Sequence, residues 1–196
     1  MKNNLTLELM GRWLSYRTRQ TIPATERKAT RVEYHRILSR AGEIGKRNPL
    51  LSSYALCAWF LAMNRNGQRT PDENCAILTE VFQTSRRFRL VMGDADHYLA
   101  PKRFKQRQQW SETTHRRQYE NDWVVDVLPG TDSYDLGYNY LECGVCKLCQ
   151  AEGCPELAQY LCRLDFLFVE IMGLHLDRTT TLAQGGSMCD FRFRRK

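Results

Sequence analysis

Apolar positions in this chain recur first at helical spacing and later at strand spacing. Residues 1–20 fit a short helix or a loose arm. Thr25 is a cap for a helix whose stripe is Val32, Ile37 and Leu38, with Tyr34 and Ala41 beside them, until Gly42 and Gly45 end it. Asn48-Pro49 opens a second helix, with proline in the first turn, where its missing N–H has no partner to lose. That helix runs to about Asn64 and is apolar nearly all round, which predicts a central position. After Gly67, Thr70-Pro71-Asp72-Glu73 combines a cap, a first-turn proline and first-turn acids. The third helix then runs through Ile77, Leu78, Val81 and Phe82 and on toward Val91.

Residues 93–119 are polar and basic and only partly helical in pattern. Trp123 to Leu128 is β-branched and alternating, so it reads as a strand, and Pro129-Gly130 is a turn. Tyr134 to Leu141 reads as its antiparallel partner. A short helix over 143–152 stops at Gly153, and a longer one runs from Pro155 to about Met172. Residues 176–183 and 188–194 read as two more strands, turning at Gln184-Gly185-Gly186-Ser187. The predicted fold is α+β: N-terminal helices, then a roughly four-stranded antiparallel sheet in strand–strand–helix–helix–strand–strand order. The whole chain, 1–196, is expected to be a single domain, mainly helical over 1–120 and sheet-containing over 121–196.

Composition narrows this reading. The chain is 42% hydrophobic, enough for a sizeable core. Its most apolar run, 54–63, is far short of the roughly 18–20 residues that span a bilayer. With no apolar leader at the N-terminus, a cytoplasmic location and no membrane partner are expected. The net charge of +7 is spread along the chain, and the basic stretch Lys102–Arg117 sits in no nucleic-acid motif, which argues against nucleic acid. Eight cysteines without an export signal are expected to be thiols, ligands or nucleophiles rather than disulfides.

The chemistry is concentrated near the C-terminus. Cys143, Cys146 and Cys149 are spaced by three, with Cys154 following. Two thiolates at Cys-x-x-Cys spacing can reach one ion, yet spacing of three also simply lines one helix face. No cofactor is required by this pattern. A divalent metal is compatible with it, held by Cys143, Cys146 and Cys149 if by any residues. Cys162 and Asp165 share a face of an otherwise apolar helix. A carboxylate there must be hydrogen-bonded, as in capping a loop, or paired, as with Arg178, or have a raised pKa, and its functional roles would be general base or substrate anchor. Arg178 opens the run Thr179 to Thr181, and its guanidinium is suited to a carboxylate. In a strand, Cys189, Phe191 and Phe193 share a face, with Asp190 and Arg192 on the other.

These residues together resemble the L-2-amino-thiazoline-4-carboxylic acid hydrolase family. The resemblance runs over Asp135-Leu-Gly137-Tyr-Asn139 leading to Cys143, Cys162-Arg-Leu-Asp165-Phe, Arg178-Thr-x-Thr181-Leu-Ala-x-Gly185-Gly186 and Cys189-Asp-Phe-Arg-Phe193. Cys146, Cys149 and Cys154 lie outside the pattern. The resemblance implies a hydrolase acting on a non-peptide C–N or C–S bond. It would open a small cyclic amidine acid to a carbamoyl-cysteine, in cysteine metabolism. The implied substrate site is Arg178 with Thr179, Thr181 and Tyr138, holding a small anionic substrate. Asp165 would activate water, or the thiolate of Cys143 or Cys189 would attack the ring carbon, with Asn139 donating to the tetrahedral centre. Cys143 ranks above Cys189 because it stands at a strand-to-helix junction, where a helix N-terminus favours a thiolate. The layout also resembles small-molecule sensor modules related to vinyl reductase, which would bind a ligand or metal without catalysis.

Overall fold

The computed structural model describes residues 4–196. Among them the elements run α1 (Leu5–Arg17), α2 (Ala24–Arg40), α3 (Leu51–Arg65), α4 (Pro71–Gln83), α5 (Arg86–Met92), α6 (Ala95–Leu99), α7 (Pro101–Thr114), β1 (Val124–Pro129), β2 (Leu136–Glu142), α8 (Gly144–Ala151), α9 (Ala158–Ile171), β3 (Leu174–Asp177) and β4 (Cys189–Arg195). The chain is an α+β protein whose N-terminal helices precede a four-stranded antiparallel sheet of order β1-β2-β4-β3. It contributes to two compact units. One takes residues up to 84, 119–121 and 144–161, and the other takes 85–118, 122–143 and 162–196.

The first unit is built on α3. Its apolar surface on every side, Tyr54 to Met63, is buried, and α1, α2, α4 and α8 pack against it. Tyr34 is fully buried; its hydroxyl donates to the Leu7 carbonyl at 2.6 Å, and its ring meets Trp59 edge-on. Cys57 of α3 and Cys149 of α8 are also fully buried, with their Sγ atoms 3.7 Å apart.

Several local expectations shift. Helix α2 starts one residue before Thr25, after Pro23, with no side-chain cap. Asn48 does not open α3 directly. Its amide bridges Ile44 O and Leu50 N, holding a turn, and the helix begins at Leu51. Thr70 and Glu73 form a full capping box at the start of α4. That helix stops at Gln83 rather than running to Val91, because Ser85 caps a new helix through Phe88 N. Pro155 starts a short 3-10 turn, and α9 begins at Ala158.

The second unit is a sheet covered on one face. Val125, Leu136, Tyr138, Leu174, Leu176 and Phe193 from the strands pack with Val169 of α9 and with Met172 just after it. Met92, Ala95, Tyr98, Leu99, Phe104 and Trp110 of the polar 85–118 segment complete this layer. The few apolar side chains of that segment are therefore its structural contribution. The strand predicted over 176–183 ends at Asp177. Asp190 turns the chain there by accepting from Thr179 N (2.9 Å), Thr179 Oγ1 (2.6 Å) and Thr180 N (2.7 Å). A 3-10 turn over Leu182–Gln184 follows, closed by Gly185 at φ 83°. A Cβ on Gly186 would meet Thr180 Oγ1 and lie 3.0 Å from Thr181 O. The two glycines thus serve a folded-back loop rather than a two-residue hairpin.

Gly11 of α1 gives a test of the first unit. A Cβ there would lie 2.6 Å from Tyr34 Cε1, on a ring that has no room to move. Alanine is better than glycine in a helix by about 1 kcal/mol, but overpacking a filled core destabilises by about 1–3 kcal/mol. Gly11→Ala should therefore lower stability in urea unfolding, and a stabilised variant would show that Tyr34 yields.

Candidate active site

Alternation along β2 and β4 divides the candidate residues between two faces of the sheet. Leu136, Tyr138 and Tyr140 share one face with Cys189, Phe191 and Phe193, since Tyr140 pairs with Cys189 and Tyr138 with Phe191. This is the face covered by α9. Along α9, Cys162, Asp165 and Val169 follow i, i+3, i+7 and so form one stripe, which Met172 continues just past the helix end. Val169 and Met172 are buried against the sheet, so Asp165 is turned the same way, one level nearer the helix start.

Arg178 comes directly after β3 and reaches back to that stripe. Its Nη1 donates to Asp165 Oδ2 at 2.6 Å and its Nη2 to Cys162 O at 3.0 Å. The guanidinium also lies over the rings of Phe166 (4.7 Å) and Phe191 (5.0 Å). The Arg178 side chain is only 7% exposed, while that of Asp165 keeps 34%. The arginine thus forms the floor, and the carboxylate is the reachable member of the pair.

The electrostatics follow from this burial. Burial pushes the Asp165 carboxyl up to about 6, with Arg178 opposing the rise. Burial also raises the Cys162 thiol, and the Asp165 charge adds to that rise. Burial pushes Cys189 up to about 11, although its sulfur accepts from Leu182 N at 3.2 Å. Tyr140 is raised well above its ordinary value, first by burial and then by Tyr98, Asp165, Cys143 and Cys189. Tyr98 is raised by burial and feels Asp165 as well. Cys143, Asp165, Arg178 and Cys189 therefore share one neighbourhood with Cys162, Tyr98 and Tyr140.

Other predicted site residues lie elsewhere. Asn139 is on the opposite sheet face, where its Oδ1 accepts from Arg192 Nη2 at 2.8 Å. Thr179 is bound to Asp190, and Thr181 is buried with its hydroxyl on Gln184 Oε1. Burial would raise the Asp190 carboxyl, but the Thr179 and Thr180 donors outweigh it and lower its pKa. Tyr138 is on the Asp165 side of the sheet but is core, buried and hydrogen-bonded to Tyr98. Cys146 and Cys149 belong to the helical unit, whereas Cys143 belongs to the sheet unit. All eight cysteines are thiols. Among the described residues, no group of three or more His, Cys, Asp or Glu is disposed to hold a metal ion.

Sequence reasoning missed Tyr140 and Tyr98. Alternation from Tyr138 puts Tyr140 on the Asp165 side, but only the β2–β4 register sets it opposite Cys189. Tyr98 lies in a segment whose pattern gave no placement.

A titration tests the Asp165 environment. Folded Asp165 holds its proton to about pH 6, whereas the unfolded carboxyl releases it near the ordinary 3.8. Between those values the folded state binds more protons, so stability falls as pH rises through the window and the loss is complete above it. Urea unfolding should show wild type losing stability relative to Asp165→Asn from about pH 4 to about pH 6. Parallel stability curves would mean an ordinary carboxyl.

A family model described as L-2-amino-thiazoline-4-carboxylic acid hydrolase matches residues 49–193, a span that includes every residue of this neighbourhood. No curated protein and no solved structure matches the chain.

Proposed function

We propose, since the chain belongs to the L-2-amino-thiazoline-4-carboxylic acid hydrolase family, that it hydrolyses a small cyclic amidine acid with Asp165 as general base. The observation that carries this reading is Asp165 itself: a reachable carboxyl, titrating near 6, fixed by a buried arginine on an apolar wall. A base with a pKa near the working pH both holds the required charge and moves protons readily.

In this reading the ring carbon between sulfur and nitrogen lies over Asp165. The carboxylate takes a proton from water as the oxygen bonds to that carbon, and the proton passes to the ring nitrogen. The tetrahedral carbon then collapses to a carbonyl. Its hydroxyl proton goes through Asp165 to the ring atom whose bond to carbon breaks. One water is consumed, and the product is a carbamoyl-cysteine. Arg178 holds Asp165 in place, because both its terminal nitrogens already donate to Asp165 and to Cys162 O. Tyr140, on the Asp165 side of the sheet, is the donor we assign to the tetrahedral centre in place of Asn139. Attack by Cys189 is disfavoured, since a thiol pushed up to about 11 is scarcely ionised at neutral pH.

Steady-state kinetics with L-2-amino-thiazoline-4-carboxylate test this. Asp165→Asn should lower kcat by roughly 10²–10⁴-fold, the range for loss of a general base. The acid limb of the wild-type profile should fall near pH 6. Tyr140→Phe should lower kcat, whereas Asn139→Ala and Cys143→Ala should leave it within roughly tenfold of wild type. Activity lost in Cys143→Ala but kept in Asp165→Asn would replace water attack with a thiol nucleophile.

A further inference from the structure

The distribution of charge along the chain separates the family region from what precedes it. Residues 1–48 carry eleven Lys and Arg against four Glu, while residues 49–196 carry eighteen basic and eighteen acidic residues. The entire +7 excess therefore lies in the segment before the family match, which begins at residue 49. Among the described residues, that segment forms α1 and α2.

The same two helices hold the exposed large apolar side chains of their unit. These are Leu5 at 71%, Leu9 at 54% and Tyr16 at 58% on α1, and Val32 at 46% on α2. Leu5, Leu9, Arg12 and Tyr16 follow i, i+4, i+7, i+11, so they form one line along α1. That line is opposite the buried Leu7, Gly11 and Leu14. Beside it runs a groove lined by Ser15 of α1 and by Arg27, Lys28, Arg31, Val32 and His35 of α2. Glu8 partly neutralises it by pairing with Arg31 and His35. Arg12 and Lys28 are exposed.

We propose that the α1–α2 face docks on an anionic bilayer surface, lying in the interface with Leu5, Leu9, Tyr16 and Val32 toward the acyl boundary. A helix face with exposed leucines and a tyrosine, flanked by cations, suits the headgroup region. No helix among the described residues is long and apolar enough to cross a membrane, and the contact proposed here is an interfacial one. A nucleic acid would meet the cations but gain nothing from the aliphatic line. A second copy would bring the same net positive face against this one and meet repulsion.

The test is co-sedimentation of the full chain with vesicles of phosphatidylcholine alone, or containing about 30% phosphatidylserine. Binding should require the anionic lipid and weaken with salt. Leu5→Ser/Leu9→Ser and Arg12→Glu/Lys28→Glu should each reduce it by roughly tenfold. Both pairs change exposed residues, and circular dichroism should match wild type. Equal binding to neutral vesicles, or none to anionic ones, overturns the proposal. So does a leucine variant that binds vesicles as wild type while the charge variant loses both vesicle and duplex DNA binding. That last result would assign the face to polyanions in general.

Discussion

The buried guanidinium of Arg178 is the constraint on which the chemistry of the sheet unit depends. A group that is always charged and only 7% exposed must find acceptors, because leaving it unpaired is far costlier than leaving it in water. It finds Asp165, the Cys162 carbonyl and the faces of two phenylalanine rings. Those partners come from α9 and β4, so the one side chain ties the helix to the sheet and fixes where the carboxylate stands. A buried pair of this kind is roughly neutral for stability against an apolar substitute. Stability alone therefore gives no reason for it, whereas the proposed base would have to be held at one position.

The two faces of the sheet divide the work of the family-matched segment. The face under α9 has the core rings at one end and the Asp165 neighbourhood at the other. The opposite face has Asn139, Arg192 and Asp190. There Arg192 ties Asn139 to the Tyr138 carbonyl, and Asp190 folds the loop that follows Arg178. Alternation within a motif such as Cys189-Asp-Phe-Arg-Phe thus sends its odd positions to the face under α9 and its even positions to the opposite face. Residues adjacent in a motif need not be adjacent in the site.

This is also why the fold was more legible in the sequence than the site. Helix periodicity, the Thr70-Pro-Asp-Glu box and the β-branched run after Trp123 are local signals, and each element they predict exists. The strand beyond Asp177 failed for an equally local reason. Three threonines favour a strand by propensity, but Asp190, distant in sequence, offers three hydrogen bonds to a turn. Pairing with Arg178 and a raised pKa were separate readings of an isolated carboxylate on an apolar helix, and both hold at once. Which face Asn139 occupied could not be read, because alternation gives relative sides and only the packing of α9 says which side is covered. The segment 85–118 hid its role because its few apolar side chains are sparse within a basic sequence.

Paired and raised are compatible because the two effects act on different quantities. Arg178 favours the ionised carboxylate through one short contact, and burial disfavours it through the loss of part of the water around the group. For Cys162 and Cys189 the Arg178 charge also favours the thiolate, but by less than burial opposes it. Cys189 also accepts from the backbone N–H of Leu182. Burial therefore dominates in both, and both remain thiols at neutral pH. Asp165, with a guanidinium 2.6 Å away, is left near neutrality, and the Cys162 and Cys189 thiols are pushed out of range. In the proposed reading, the choice of Asp165 as base thus follows from where a single arginine side chain is buried.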